Sequence, residues 1–360
     1  MKESPHTTTF KVNNMTQYET DWMTPAEKPA QDRIYTDKTA NPEKMLKLRA
    51  FQAEMFKRIS LEETNKKASL LDRVESKYLL SGAQYGRLLR ELADSYSVLE
   101  VCGTAVSSYE TSYYDDDRFT LYYQHHNGRS DRYKLRLRHY LSSGEHYLEV
   151  KHKTNRGATI KSRINVDGVG DREVGRFLTE KFPYEAGRFR PVLKTVYTRM
   201  TLVSDEGSER ITFDTDLRFM GAGGCYDCGD LVIAESKHER LANTPAQKKM
   251  KELSVRKASF SKYCVGAALL NRGLKSNRFK PKLLYLSRTS ATGLTGLCGN
   301  RIAPAVGGSF SIASAAASAS ALGAASAVAS GAATSASESW AVGSGSAFSR
   351  VAVPYSEVTA

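Results

Sequence analysis

Between Arg129 and Arg163 the chain reads RSDRYKLRLRHYLSSGEHYLEVKHKTNRGATIKSR, three strand-like segments in which basic residues recur at every second position. Successive side chains of a strand point to opposite faces, so Arg132, Lys134, Arg136 and Arg138 fall on one face. Glu149, Lys151 and Lys153 share a face on the second segment, and Lys161 and Arg163 on the third. Tyr133, Leu135, Leu137, Leu148 and Val150 take the other side. A half-buried sheet with solvated charges would show the same alternation. The scarcity of acids among so many cations argues against it, because like charges on neighbouring strands repel. The pattern predicts a bound polyanion.

Charge over the whole chain agrees without choosing the ligand. The 52 basic and 39 acidic residues leave a net charge of +13, which favours nucleic acid, nucleotides, phosphates or an acidic membrane surface as partners. Five cysteines, an odd number without the spacing of a secreted framework, point to a reducing compartment. The opening MKESPHTTTF lacks the apolar core of a signal peptide, so a cytoplasmic location is expected. No GxxxxGK[ST] loop is present. Cys225 and Cys228 form a CxxC without a second such pair, short of the four ligands of a zinc site, and a surface loop is expected there. His125 and His126 are given no role.

Residues 1–40 are polar and aperiodic, as expected of a disordered segment. An amphipathic helix and linker are expected over 41–69, with Met45, Leu46, Leu48, Phe51, Met55, Phe56 and Ile59 on one face and Lys44, Lys47, Lys57 and Arg58 around it. Packing of that apolar face on the main domain is the leading reading, and docking on a membrane surface the second. The folded domain spans 70–273. Strands are predicted at 73–80, 108–114, 118–124, 131–141, 145–153, 158–166, 192–203, 209–216 and 230–237, with helices near 84–95, 171–181, 244–253 and 259–271. Residues 274–360 read as a linker and an Ala/Ser/Gly-rich tail. Its uncharged run Ile312–Thr334 is long enough for a bilayer, but its serines make a poor spanning helix. The fold expected is α+β, a closed antiparallel β-barrel with flanking helices, because closure removes exposed edges.

Four further motifs place charges on the face expected to point inward. RVESKY aligns Arg73, Glu75 and Lys77. ITFDTDLRF aligns Asp214 and Asp216, with Arg199 on the strand before. IAESKHER aligns Glu235 and Lys237, and SFSKY puts Lys262 at a helix start, whose free backbone donors favour anions. Structural ion pairs explain any one of these as well as a site does. Together they demand a wet, anion-filled tunnel, because unpaired buried charges cost several kcal/mol each. Carboxylates among phosphate-binding cations fit a divalent metal that bridges phosphate oxygens.

These motifs, in this order, resemble the VTC domain of polyphosphate polymerases within the triphosphate tunnel metalloenzymes. The resemblance covers about Leu70 to Gly273 and rests on RVESKY, SYYDDD (112–117), KLRLR, LEVK, IKSR, YTRMT, FDTDLRF, ESK and FSKYCVG. It implies that Lys77, Arg136, Arg138, Lys151, Lys161, Arg163, Arg199, Lys237 and Lys262 bind phosphate, with Arg136, Arg138, Lys151 and Lys262 the catalytic subset. It implies Glu235 as the first metal ligand, Glu75 and Glu149 as further ones, and Mn²⁺ or Mg²⁺ as the ion. Arg73 departs from the ExExK strand of the wider superfamily, a change that fits the VTC branch. The activity implied is transfer of the γ-phosphate of ATP to a growing polyphosphate chain, with a membrane-protein partner able to take up the product. A tripolyphosphate or nucleoside-triphosphate hydrolase is the alternative. A non-catalytic polyanion-binding module, including one for nucleic acid, ranks last, because acids in the lining weaken a site meant only for a polyanion.

Overall fold

The computed structural model describes residues 42–67, 73–207, 209–239, 244–289 and 297–298; the expected disordered N-terminal segment and low-complexity tail lie outside them. In chain order the main elements are α1 (Pro42–Ala53), β1 (Lys57–Ser60), α2 (Leu61–Lys67), β2 (Arg73–Leu80), α3 (Gly82–Leu92), β3 (Tyr96–Glu100), β4 (Val106–Asp115), α4 (Thr120–His126), β5 (Arg132–Tyr140), β6 (Glu145–Lys153), β7 (Thr159–Asn165), α5 (Asp171–Lys181), β8 (Arg190–Ser204), β9 (Glu209–Gly221), β10 (Gly224–Asp227), β11 (Val232–Glu239), α6 (Pro245–Glu252), β12 (Lys257–Ala258), α7 (Lys262–Leu270), α8 (Lys280–Thr289) and β13 (Leu297–Cys298).

The strands form one large sheet in the order β12-β2-β11-β9-β8-β4-β5-β6-β7, antiparallel along this path, with β1, β3, β10 and β13 paired off it. The expected closed barrel is corrected here: among the described residues no ladder joins β7 to β2 or β12. The outer edge of β2 is already occupied at Tyr78 and Lys77 by β12, where a closing strand would pair. The ends still face each other. The Lys161 amine on β7 interacts with the carboxylates of Glu235 on β11 and Glu75 on β2. The sheet therefore curls around an interior without a continuous ladder.

The alternation predicted for β5–β7 decides which face is which. Leu135, Leu148 and Val150 are buried on the outer face against Val174 and Leu178 of α5. Farther along the sheet, Tyr78, Leu80, Phe213, Ile211 and Leu202 meet Tyr85, Leu88, Leu89 and Leu92 of α3, with Ala246 and Met250 of α6 beside them. Helix α3 shows three-to-four-residue apolar spacing and a Ser81–Gln84 capping box, so its sequence specifies both its start and its buried stripe. Helix α7 differs in being buried on nearly every side. Gly266 makes this possible: a Cβ there would sit 2.6 Å from Phe219 and 2.8 Å from Leu193. The missing side chain lets α7 approach β8 and β9, and carries Lys262, one turn earlier, to the sheet.

Several local expectations change. The segment expected as a strand at 118–124 is α4 (Thr120–His126). Asp115 accepts the backbone N–H groups of Leu121 (3.0 Å) and Tyr122 (2.9 Å), and Asp116 that of Thr120 (2.9 Å). Two carboxylates satisfying first-turn donors outweigh the strand preference of its aromatic residues. The expected surface loop around Cys225 and Cys228 contains β10, and both thiols are buried. The region read as linker after Gly273 includes α8. Helix α1 ends at Ala53, and Lys57–Ser60 joins the sheet beside β3. The single apolar face expected here divides: Phe56 and Ile59 beyond the helix are buried, and within it Arg49 and Ala53 pack, while Leu46, Leu48, Phe51 and Met55 are exposed. Arg49 instead donates to both carboxylate oxygens of Asp216, at 3.1 and 3.2 Å. Asp216 lies at a β9 irregularity with φ 56°, so a bulge aims this carboxylate outward at α1.

Candidate phosphate-binding site

Cross-strand register turns the basic alternation into rows. Arg136 on β5 lies opposite Glu149 on β6, which lies opposite Arg163 on β7; one step along, Lys134, Lys151 and Lys161 form a row of three amines. Glu149 is bonded by the Arg136 guanidinium and lies 3.8 Å from that of Arg138. Burial alone would raise its carboxyl, but the two guanidiniums outweigh burial and hold it at about 2.

In the lysine row the pull of nearby carboxylates is outweighed by burial and by the neighbouring cations. Burial pushes the Lys151 amine down to about 7, with Lys134, Lys161 and Arg136 adding to the shift against the opposing pull of Glu75. Burial also lowers Lys134 and Lys161. Lys134 donates to the Ser261 hydroxyl at 3.0 Å, the residue that caps α7 by accepting the Cys264 N–H.

The opposite side of the interior is balanced. Lys77 and Glu235 face each other across β2 and β11, as do Glu75 and Lys237. The Lys77 amine bonds Glu235 and lies 2.5 Å from Glu75. Burial would lower the Lys77 amine, but the two carboxylates together raise it. Glu235 is driven well below the usual carboxylate range by Lys77, against burial. Next along the interior, Arg199 grips Asp214 with two hydrogen bonds of 2.6 and 2.9 Å, and the Lys262 amine bonds the same carboxylate. Burial opposes ionisation of Asp214, but Arg199 and Lys262 hold it at about 2.

A tyrosine floor lies beneath these cations. Tyr109 and Tyr197 stack at 5.3 Å; Arg138 lies over Tyr109 and Tyr140, Arg199 over Tyr109 and Tyr197, and Lys262 4.2 Å above Tyr197. Cations held over aromatic faces stay in place with little need of water. The Tyr197 phenol feels burial first, yet Arg138, Arg199 and Lys262 shift it downward.

The structure thus brings Lys77, Arg136, Arg138, Lys151, Lys161, Arg199 and Lys262 to one interior, together with Glu75, Glu149 and Glu235. Arg163 borders it, stacked on Tyr147, and Lys237 sits opposite Glu75. Sequence reasoning passed over Lys134, although it shares the face of Arg136, and Asp214 as the acid common to two cations. It also passed over Tyr109 and Tyr197; the Tyr-x-Arg spacing of 197–199 was the available signal for the latter.

The carboxylates divide in their capacity for a metal. Glu149 is engaged by arginines. Glu75 and Glu235 both converge on the point where the Lys77 ammonium sits, which shows that a cation fits between them. Among the described residues no three His, Cys, Asp or Glu side chains converge on one point. Two carboxylates with phosphate oxygens and water completing the shell suit a small hard dication.

The model of the VTC domain matches residues 72–182 and 178–271, more than half of the 360-residue chain. Similar folds occur in a putative adenylate cyclase from Vibrio parahaemolyticus (14% identity, covering 53% of this chain and 94% of that one, TM-score 0.31). Another is a putative adenylyl cyclase from Hippeastrum described as having a dominant triphosphatase activity (16% identity, 54% and 95%, TM-score 0.34). No curated protein matches the chain significantly.

Proposed function

Because the chain belongs to the VTC-domain family, we propose that it is a polyphosphate polymerase, which moves the γ-phosphate of ATP to the end of a growing phosphate chain and releases ADP. The observation that carries this reading is the uneven interior: a row of three lysines in which burial and mutual repulsion outweigh the pull of the nearby carboxylates, facing cations bonded directly to acids. A polyphosphate chain supplies closely spaced negative charge to the lysine row. The balanced side supplies rigid donors and carboxylates for a metal.

In this reading Arg136 and Arg138, oriented by Glu149, grip phosphate oxygens bidentately, while Lys151 and Lys161 act as point charges. Arg199 and Lys262 approach from the other side, anchored by Asp214 and by the face of Tyr197. Glu235 and Glu75 would hold Mn²⁺ or Mg²⁺, which when bound neutralises charge on phosphate oxygens. Aligning an acceptor phosphate with the γ-phosphorus needs positioning and charge neutralisation rather than a covalent nucleophile. The interior provides both from fixed side chains.

The test is incubation of the full chain with ATP and Mn²⁺, followed by analysis of products. Long-chain polyphosphate with stoichiometric ADP is expected. Inorganic phosphate as the sole product would replace the polymerase with a hydrolase, and metal-independent binding without turnover would leave a polyanion-binding module.

A further inference from the structure

Strand β9 carries one residue more than β8 beside the phosphate site. Thr215 lies opposite Thr198 and Arg218 opposite Val196, so Asp216 and Leu217 together face the single residue Tyr197. The extra residue is taken up at Asp216, whose φ of 56° is left-handed, a conformation uncommon for residues other than glycine.

One extra residue reverses the side of everything after it. Phe213 and Phe219, six positions apart, would share a face of an uninterrupted strand. Instead Phe213 packs with Tyr85 of α3, while Leu217 and Phe219 join Tyr197 and the α7 residues Val265 and Ala267. On one flank of the bulge is Asp214, the acid bonded by Arg199 and Lys262. On the other is the seat of α7, the helix that carries Lys262. Tyr197, which lies under both cations, faces the bulge itself.

The groups that hold Asp216 come mainly from outside the site. Arg49 of α1 donates to both carboxylate oxygens, at 3.1 and 3.2 Å, and the Thr215 hydroxyl donates to Oδ2 at 2.7 Å. Arg49 is buried, with its guanidinium 5.6 Å from the ring centre of Tyr85, and Tyr85 packs 5.1 Å from Phe213 on β9. Bidentate charged hydrogen bonds fix direction as well as distance. From the bulge, the left-handed Asp216 and its buried arginine we infer that Arg49 is a positioning residue for the phosphate site. By holding Asp216 it keeps Asp214, Tyr197 and α7 in the register that aims Arg199 and Lys262 at the interior. Were Asp216 to return to extended backbone, either the ladder to β8 or the seat of Phe219 against Gly266 would slip by one residue, and Lys262 would move with α7. The inference rests on the reading of the interior as a phosphate site and does not require polymerase activity.

The experiment measures tripolyphosphate affinity by calorimetry and the thermal midpoint by circular dichroism, on the full chain and its variants. Arg49→Ala should weaken binding about tenfold. Adding Asp216→Gly to it should restore affinity to within about twofold of the wild type, because glycine keeps a positive φ without a partner, although the ion pair is still missing. A role confined to docking α1 would lower the thermal midpoint of both variants and leave affinity unchanged in both. Asp216→Ala and Asp216→Gly repeat the comparison with Arg49 in place, and they decide the matter if Arg49→Ala does not fold. Both delete the carboxylate, and alanine alone resists the left-handed conformation, so alanine alone should lose affinity. Wild-type affinity in Arg49→Ala, a double variant as weak as Arg49→Ala, or equal affinity of the two Asp216 variants would each overturn the inference. A wild-type chain that binds no tripolyphosphate would overturn the phosphate-site reading, and this inference with it.

Discussion

Lys77 and Lys151 sit on two sides of one interior and titrate in opposite directions. Lys77 is flanked by Glu75 and Glu235 and is held protonated more firmly than a free lysine. Lys151 stands between Lys134 and Lys161 and gives up its proton near neutrality. Burial disfavours charge on both amines, so the difference comes from their neighbours. One side of the site is electrostatically finished by the fold; the other is left incomplete, and the proposal is that an anion completes it. A site neutral throughout would bind phosphate weakly, and one cationic throughout would be harder to fold.

The sharpest way to test this division is to remove Glu235. Glu235→Ala takes away the carboxylate proposed for the metal, worth several kcal/mol, so kcat should fall about 10³-fold or more in steady-state assays. Tripolyphosphate binding measured by calorimetry should persist, because the lysine row is intact. Unchanged turnover would remove Glu235 from the metal-binding role.

Asp214→Ala strikes the balanced side directly. It leaves Arg199 and Lys262 buried without their shared acid, and loss of a buried partner costs about 3–5 kcal/mol, readable as a lower urea midpoint. Asp214 is held at about 2, below its unfolded value. Its stabilisation is therefore present above the unfolded pKa of about 4 and is lost as pH falls toward 2. Acid unfolding of the variant should show a correspondingly shallower dependence in that window.

The lysine row should behave in the opposite way. Lys151→Met removes one of three crowded amines, so thermal stability should hold or rise while tripolyphosphate affinity falls about tenfold, the value of one charged hydrogen bond. A drop in both would mean that Lys151 is already paired in the free protein, and the contrast with Lys77 would fail.

The smallest expected effect is on pH. Phosphate favours the protonated amine, and the free amine titrates at about 7, so affinity should fall about fivefold between pH 7 and pH 8. In Lys151→Met that component of the slope should be absent, leaving the part due to the phosphate chain itself.

Much of the binding face is legible in the sequence because alternation is a local property. Once 132–138, 145–153 and 159–163 are strands, the side on which Arg136, Glu149, Lys151 and Lys161 project follows from the pleat. The capping box of α3 and the charge pattern of ESK and RVESK are equally local. Helix α4 was missed because its signal, Asp115 and Asp116 as acceptors for first-turn N–H groups, was outweighed by aromatic residues that favour strands. The short polar β1 and the two-residue β12 have too little pattern to announce themselves.

What the sequence by itself determined is the composition of each face: cations and a few acids inward, aliphatic residues outward, and a family of motifs in fixed order. Which acid neutralises which cation belongs to the tertiary structure. Asp214 meets Lys262, 48 residues away, through the close approach that Gly266 allows. Among the described residues the ladder stays open between β7 and β2, whose edge β12 pairs at Tyr78 and Lys77. Arg49 of α1 is buried because an outward-aimed carboxylate at Asp216 captures it. Each of these depends on segments distant in the chain competing for the same space or the same charge, and that competition is resolved only when the sheet has curled.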